Sequence, residues 1–211
     1  MVIRNKMDNL HYLDLSDANV VENSYEYYTG CSTKNDTIGR NAFRDLSKLI
    51  TVSLPNSVKV IETGALYNCT KLKNVVLPEK LLSIEDDWNW DGGAFANCSS
   101  LTEVKFKACG NIGRRAFTGC SALEHITLPP DLKTIDQYAF ANCSSLHSVD
   151  FPPLLKRIGS YAFQDCALDS ISLPGLTSID EYAFQNCSNL KEVKVPSTLE
   201  SVGDKAFFHC I

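Results

Sequence analysis

From residue 38 onward the apolar positions return on a fixed grid. Read around Phe140, the unit is Ile135, Ala139-Phe140, Cys143, Leu146, Val149, Phe151, Pro152, Leu155 and Ile158. The same grid fits Ile61, Leu66, Cys69, Leu72, Val75, Leu77, Pro78, Leu81 and Ile84, and again Ile179, Phe184, Cys187, Leu190, Val193, Val195, Pro196, Leu199 and Val202. Its Phe place falls at Phe43, Leu66, Phe95, Phe117, Phe140, Phe163, Phe184 and Phe207, at spacings of 23, 29, 22, 23, 23, 21 and 23. A period of this size marks a repeat protein, in which one unit cannot bury its apolar side chains alone and must stack on its neighbours.

Within each unit, Leu-x-x-Val-x-Leu predicts a short strand whose last three positions alternate in and out, as at Leu101-x-x-Val104-x-Phe106 and Leu123-x-x-Ile126-x-Leu128. A Pro then ends the ladder, because it has no amide hydrogen: Pro55, Pro78, Pro129, Pro152, Pro174 and Pro196. A second extended piece, Leu-x-x-Ile, leads to a turn with Gly or an acid at Gly113, Asp136, Gly159, Asp180 and Gly203. The apolar spacing of three in Ala-Phe-x-x-Cys-x-x-Leu predicts a single helical or 3₁₀ turn. The expected fold is therefore an α/β repeat: a right-handed leucine-rich-repeat solenoid with a parallel β-sheet on one face, short helical or 3₁₀ turns and second extended segments elsewhere. Columns of Phe, Cys, Leu, Val and Ile would form its core.

Composition changes little in this picture and narrows the partners. The 211 residues are 44% hydrophobic and 21% charged, which is globular, and no apolar run is long enough for a membrane-spanning helix. Twenty Lys and Arg against 25 Asp and Glu leave a net charge of −5, which disfavours nucleic acid and anionic lipid as partners. The division expected is 1–37, an N-terminal strand Leu10 to Val20 plus a Tyr-rich excursion from Glu22 to Thr37, followed by repeats over 38–211 with an insertion at 86–91, all in one continuous solenoid.

The repeated Ile-x-x-x-Ala-Phe-x-x-Cys-x-x-Leu-x-x-Val-x-Leu-Pro resembles the BspA-like leucine-rich repeats over residues 38 to 211. The start of the chain resembles repeat proteins of gut and oral Bacteroides-type bacteria. What the resemblance implies is a surface or secreted protein, acting in adhesion and host contact without enzymatic activity. The partner it implies is a protein, of the host or of a bacterial surface. Two departures stand out: Lys107 replaces the Pro, and the chain stops within a repeat at Phe207-Phe208-His209-Cys210-Ile211, the pattern expected of a fragment of a longer protein.

Candidate chemistry is sparse. Cys69, Cys98, Cys120, Cys143, Cys166, Cys187 and Cys210 stand three residues after the Phe place, and Leu46 takes that place in the first unit. This predicts a column of small buried hydrophobes rather than a disulfide framework or a metal site, and no Cys-x-x-Cys is present. Cys31 and Cys109 lie outside the column, and a bridge between them is the alternative to two free thiols. Asn-Cys-Ser/Thr at Asn68, Asn97, Asn142 and Asn186 matches the glycosylation pattern but reads better as a recurring turn residue. His125 and His147 are expected to be ordinary surface residues, with a weak metal or pH-sensitive pair as the alternative. Tyr138, Tyr161 and Tyr182 repeat two residues before Phe and are expected to pack, the alternative being a sticky aromatic strip.

No nucleophile elbow, phosphate loop, dinucleotide fingerprint or His-Glu-x-x-His is present, so neither a catalytic residue nor a cofactor is expected. Asp86-Asp87-Trp88-Asn89-Trp90-Asp91-Gly92-Gly93 holds both Trp residues in one inserted loop, where they would meet a ligand or plug the solenoid edge. The outward strand row reads Ser53, Val76, Lys105, Thr127, Asp150, Ser172 and Lys194. From these residues the expected function is a non-catalytic protein-binding or adhesion module, with Asp87, Trp88, Trp90, Lys105, Thr127, Asp150 and Lys194 as binding candidates. The alternative is a carbohydrate-binding module centred on Trp88 and Trp90, with a glycan as partner.

Overall fold

The computed structural model describes residues 7–21, the backbone of 23–28 and 31–33, and residues 34–85 and 92–210. Successive repeats form coils stacked one on another. Each coil contributes a three-residue strand to a first parallel sheet: Tyr12–Asp14, Thr51–Ser53, Asn74–Val76, Glu103–Lys105, His125–Thr127, Ser148–Asp150, Ser170–Ser172 and Glu192–Lys194. Hydrogen bonding divides this sheet into a run of four strands followed by two pairs. A second sheet of eight parallel strands is built from the Leu-x-x-Ile pieces: Thr37–Ile38, Val60–Ile61, Ser83–Ile84, Asn111–Ile112, Thr134–Ile135, Arg157–Ile158, Ser178–Ile179 and Ser201–Val202. Like positions align in every pairing, as in Ile61 with Ile84, Ile112 with Ile135, and Val149 with Ile126. Asn23–Tyr28 pairs antiparallel with Cys31–Thr33.

Among the described residues there is no helix, which corrects the α/β class and the expected helical or 3₁₀ turn. The reason lies in the backbone. In seven of the eight coils two positions have positive φ, one two residues before the Phe place and one two residues after it, and in the Phe95 coil only the second, Asn97, does. Examples are Tyr138 (59°) with Asn142 (60°), and Tyr182 (55°) with Asn186 (60°). A helix needs an unbroken right-handed run, and left-handed residues interrupt it twice. The rotated peptide planes send their N–H groups to the next coil. Tyr138, Phe140 and Asn142 donate to the carbonyls of Ser160 (3.0 Å), Ala162 (2.8 Å) and Gln164 (2.8 Å). Equivalent bonds recur in neighbouring coils, for example Phe117 to Ala139 and Phe184 to Ala206, both 2.8 Å. The turn is thus a third inter-coil ladder, where a helix would have bonded within itself.

Inside the stack, Phe95, Phe117, Phe140, Phe163, Phe184 and Phe207 lie face to face, with centroids 5.1 to 5.4 Å apart and planes within 8° of parallel. Phe106 and Phe151 meet this column edge-on, against Phe117 and Phe163. Such ring geometry adds roughly 0.5 to 1.5 kcal/mol per pair beyond area burial. The outermost coil is less enclosed: Leu190, Leu199 and Phe207 are partly buried, and Val193, Val195, Val202 and Phe208 are exposed.

Phe140 has a stacked ring on each side and no exposure. Phe140→Ala should cost about 3 to 5 kcal/mol in equilibrium urea unfolding. Phe140→Leu, the residue that the grid tolerates at Leu66, should cost less than about 1.5 kcal/mol. Equal losses for both substitutions would contradict a column held by ring packing.

Candidate functional site

In the first sheet, five strands show one buried residue between two exposed ones: Asn74–Val76, Glu103–Lys105, His125–Thr127, Ser148–Asp150 and Ser170–Ser172. The inward Val or Ile is fixed by the core, so both flanking side chains point to solvent. The outward face is therefore two rows wide. Lys105, Thr127, Asp150 and Lys194 all lie in the row legible from the sequence, and a second row runs beside it through Thr51, Asn74, Glu103, His125, Ser148, Ser170 and Glu192. That second row was missed because only the position between the Val and Leu columns was read. The available signal was the three-residue strand itself, with an outward residue on each side of Val.

Charges on this face pair with their immediate neighbours. Lys105 meets Glu103 at 3.2 Å and Lys194 meets Glu192 at 3.3 Å, each across a single strand. Thr127 donates its hydroxyl to Asp150 at 3.1 Å. His125 touches Ser148 at 2.7 Å and Thr127 at 3.1 Å, and its Nε2 lies 3.4 Å from Asp150. His147 stands 3.8 Å from Asp169. The two histidines thus serve different carboxylates and do not meet as a pair. Val76 adds an exposed apolar contact at 47%. The surface is a mosaic of small, self-paired polar groups, whose exposed ion pairs add little stability. Asp87, Trp88 and Trp90 fall outside the described residues.

The cysteines do more than fill space. Every thiol of the column donates to the carbonyl oxygen at the Phe place of the preceding coil, at 3.0 to 3.3 Å: Cys69 to Phe43, Cys98 to Leu66, Cys120 to Phe95, Cys143 to Phe117, Cys166 to Phe140, Cys187 to Phe163 and Cys210 to Phe184. The same carbonyl accepts the Cys N–H of its own coil, as from Cys143 to Phe140 at 3.3 Å, and the axial ladder leaves it otherwise unused. A small weak donor at this place completes a buried acceptor that an aliphatic side chain would leave half satisfied. Leu46 occupies the place in the first Ala-Phe unit of the sequence, where it is buried and fills the column without a donor.

All these thiols are free, and all but Cys210 are buried. Burial pushes Cys69 and Cys187 up to about 12, and Cys98, Cys120 and Cys166 well above their ordinary value. Cys109, outside the column, is also free: its thiol donates to the Asn111 carbonyl at 3.1 Å, and burial raises it to about 12. The side chain of Cys31 lies outside the described residues.

Two further repeated features are structural. Asn68, Asn97, Asn142 and Asn186 all adopt positive φ near 60°, the left-handed conformation that Asn tolerates best after Gly. Asn68 and Asn186 bond back to Asp45 (2.9 Å) and Asp165 (2.7 Å), and Asn97 to the Tyr67 hydroxyl (3.1 Å). Tyr138, Tyr161 and Tyr182 stack at 4.8 and 4.9 Å, with the Arg115 guanidinium against one end and the Lys205 ammonium against the other. Their faces are therefore spent on each other and on two cations.

The stacked coils, two parallel sheets and Phe-Cys columns define a leucine-rich-repeat solenoid. The chain belongs to the BspA-type leucine-rich-repeat family: the BspA type Leucine rich repeat region matches in 6 copies over residues 23–109 and 110–211. Among solved structures, a leucine-rich-repeat protein of T. pallidum is similar, with 35% identity and a TM-score of 0.71 over 79% of each chain. A leucine-rich-repeat protein from Eubacterium ventriosum shares the fold at 17% identity and a TM-score of 0.61; 98% of this chain spans 47% of that one. No curated protein matches the chain.

Two outcomes follow for the thiols. In native protein at pH 8, Ellman's reagent should leave Cys69, Cys98, Cys109, Cys120, Cys143, Cys166 and Cys187 unmodified, and label them on unfolding. The raised folded values of Cys69, Cys109 and Cys187 favour the native state below the unfolded value near 9.0, and that contribution is lost as pH climbs from 9 towards 12. Alkaline melting that tracks this window would confirm the sign. Cys143→Val removes the donor and adds about one methyl group of bulk, and should cost about 1 kcal/mol or more in urea unfolding. Wild-type stability would show that the thiol donor contributes nothing there.

Proposed function

We propose that the chain is a non-catalytic interaction module of a cell-surface or secreted protein, and that it binds a protein partner through the exposed face of the first sheet. The observation that carries this reading is the two-row outward face, whose backbone is fixed by inter-coil hydrogen bonds while its side chains remain open to solvent. Solenoids commonly present such extended surfaces to partners. Membership of the BspA-type family supports the class of role and the destination, and the buried thiols, held protonated, offer no ready nucleophile.

The polar mosaic suits many modest contacts spread over several coils, with no dominant aromatic anchor in the Lys105, Thr127, Asp150 and Lys194 row. Charge reversal in this row should act through electrostatic complementarity and weaken a protein partner about tenfold or more. The test is biolayer interferometry of the chain against a panel of purified host matrix and bacterial surface proteins, repeated with Lys105→Glu/Asp150→Lys and with Gln164→Ala/Gln185→Ala on the turn ridge. The proposal expects a ligand whose binding falls in the first variant and persists in the second. The opposite pattern would overturn it. So would recognition of glycans alone, lost in Trp88→Ala/Trp90→Ala, which would move the function to the inserted segment.

A further inference from the structure

The second sheet carries a concavity that the sheet-face reading does not use. It measures about 410 Å³ and is bounded by Glu85, Asn111, Arg114, Asp136, Gln137 and Arg157. Its origin is a missing side chain. The position after the inward Ile is Glu85, Gly113 and Asp136 in three consecutive coils, so a hydrogen stands where both neighbours project a carboxylate. The register is fixed by the Gly113 N–H to Ile84 and the Asp136 N–H to Ile112, at 2.8 and 2.9 Å. A gap one coil wide is thereby left open between two acids.

The walls are held by bonds among themselves. Arg157 spans Asp136, at 3.3 Å, and Asp180. The Arg114 Nε donates to Gln137 Oε1 at 3.2 Å, and Thr134 donates to Asn111 Oδ1. Among the described residues this leaves the side-chain amide N–H groups of Asn111 and Gln137 without a protein acceptor, and the Glu85 carboxylate with a single long hydrogen bond from Ser83, at 3.4 Å. The lining therefore offers donors and acceptors in close proximity, and its two carboxylates and two guanidinium groups cancel in formal charge. An anion would face both carboxylates and a cation both guanidinium groups. A neutral molecule dense in hydroxyls meets neither penalty, because each hydroxyl both donates and accepts. The volume lies within the roughly 300 to 1,000 Å³ usual for small-ligand sites.

We propose that this notch is a subsite for a neutral saccharide, taking one or two pyranose rings between Glu85 and Asp136. It lies on the second sheet, so it stands or falls independently of protein binding by the first. As an open, polar site it should bind weakly, with a dissociation constant on the order of millimolar.

The test is an NMR titration of the uniformly ¹⁵N-labelled chain with glucose, galactose, N-acetylglucosamine and lactose, and separately with inorganic phosphate. The side-chain amide signals of Asn111 and Gln137 are assigned by their loss in Asn111→Ala and Gln137→Ala, and that of Asn74 on the first sheet serves as an internal control. With at least one sugar, the Asn111 and Gln137 signals should move saturably while Asn74 stays still, and Glu85→Ala should weaken the effect about tenfold. Glu85 is exposed, and an unchanged thermal melt verifies that its variant is folded. Absence of saturable movement with every sugar overturns the proposal, as do equal affinity in Glu85→Ala and movement driven by phosphate instead.

Discussion

Holding equivalent positions of successive coils one strand spacing apart is the constraint on which the rest of this molecule depends. Strands in a sheet lie about 4.8 Å apart, and parallel-displaced aromatic rings are comfortable at a similar distance. The backbone ladders and the Phe column therefore ask for the same translation and reinforce each other. Three ladders enforce it: the first sheet, the second sheet and the turn, where Phe140 N–H reaches Ala162 and Phe163 N–H reaches Ala183. With the translation fixed, any residue type repeated on the grid becomes a continuous column, whether Phe, Cys, Asn or Tyr.

The turn shows what the arrangement costs and how the cost is offset. Left-handed φ at a Tyr is unfavourable by roughly 1 to 2 kcal/mol, yet Tyr138, Tyr161 and Tyr182 all adopt it. Each gains a hydrogen bond to the next coil and a stacked neighbour, and the sequence places Asn, Asp or Gly at most of the other strained positions, such as Asn142, Asp165 and Gly119. The carbonyl at the Phe place, turned inward by the same geometry, is answered by a thiol from the following coil. Local strain and inter-coil bonding are thus two sides of one backbone conformation.

Much of this was legible in the sequence because a repeat multiplies every signal. The inward Val and Ile of the strands, the stacked Phe and the aligned Cys could be placed from register alone, since each position is sampled in coil after coil. The turn was misread because apolar residues three apart fit a helical turn equally well. The recurrent Asn or Asp after Phe was recognised as a turn residue, but Tyr before it gives no hint of left-handed backbone. The donor role of Cys was hidden for a different reason: its partner is a main-chain atom, which leaves no trace in residue identity. Half of the outward face was overlooked, and the notch beside Gly113 is visible only once the coils on either side are aligned.

The buried thiols have a bearing on how the protein comes into being. Once the coils are in place, the chemistry of the buried thiols from Cys69 to Cys187 is suppressed by enclosure, so this part of the spine is indifferent to an oxidising medium without a single cross-link among them. The newly made chain enjoys no such shelter. Until stacking is complete, its cysteines are open to mispairing with one another, and a wrong pair would trap sulfurs that belong in separate coils. Assembly that proceeds coil upon coil, each closing over the last thiol before the next emerges, is the route that this architecture rewards.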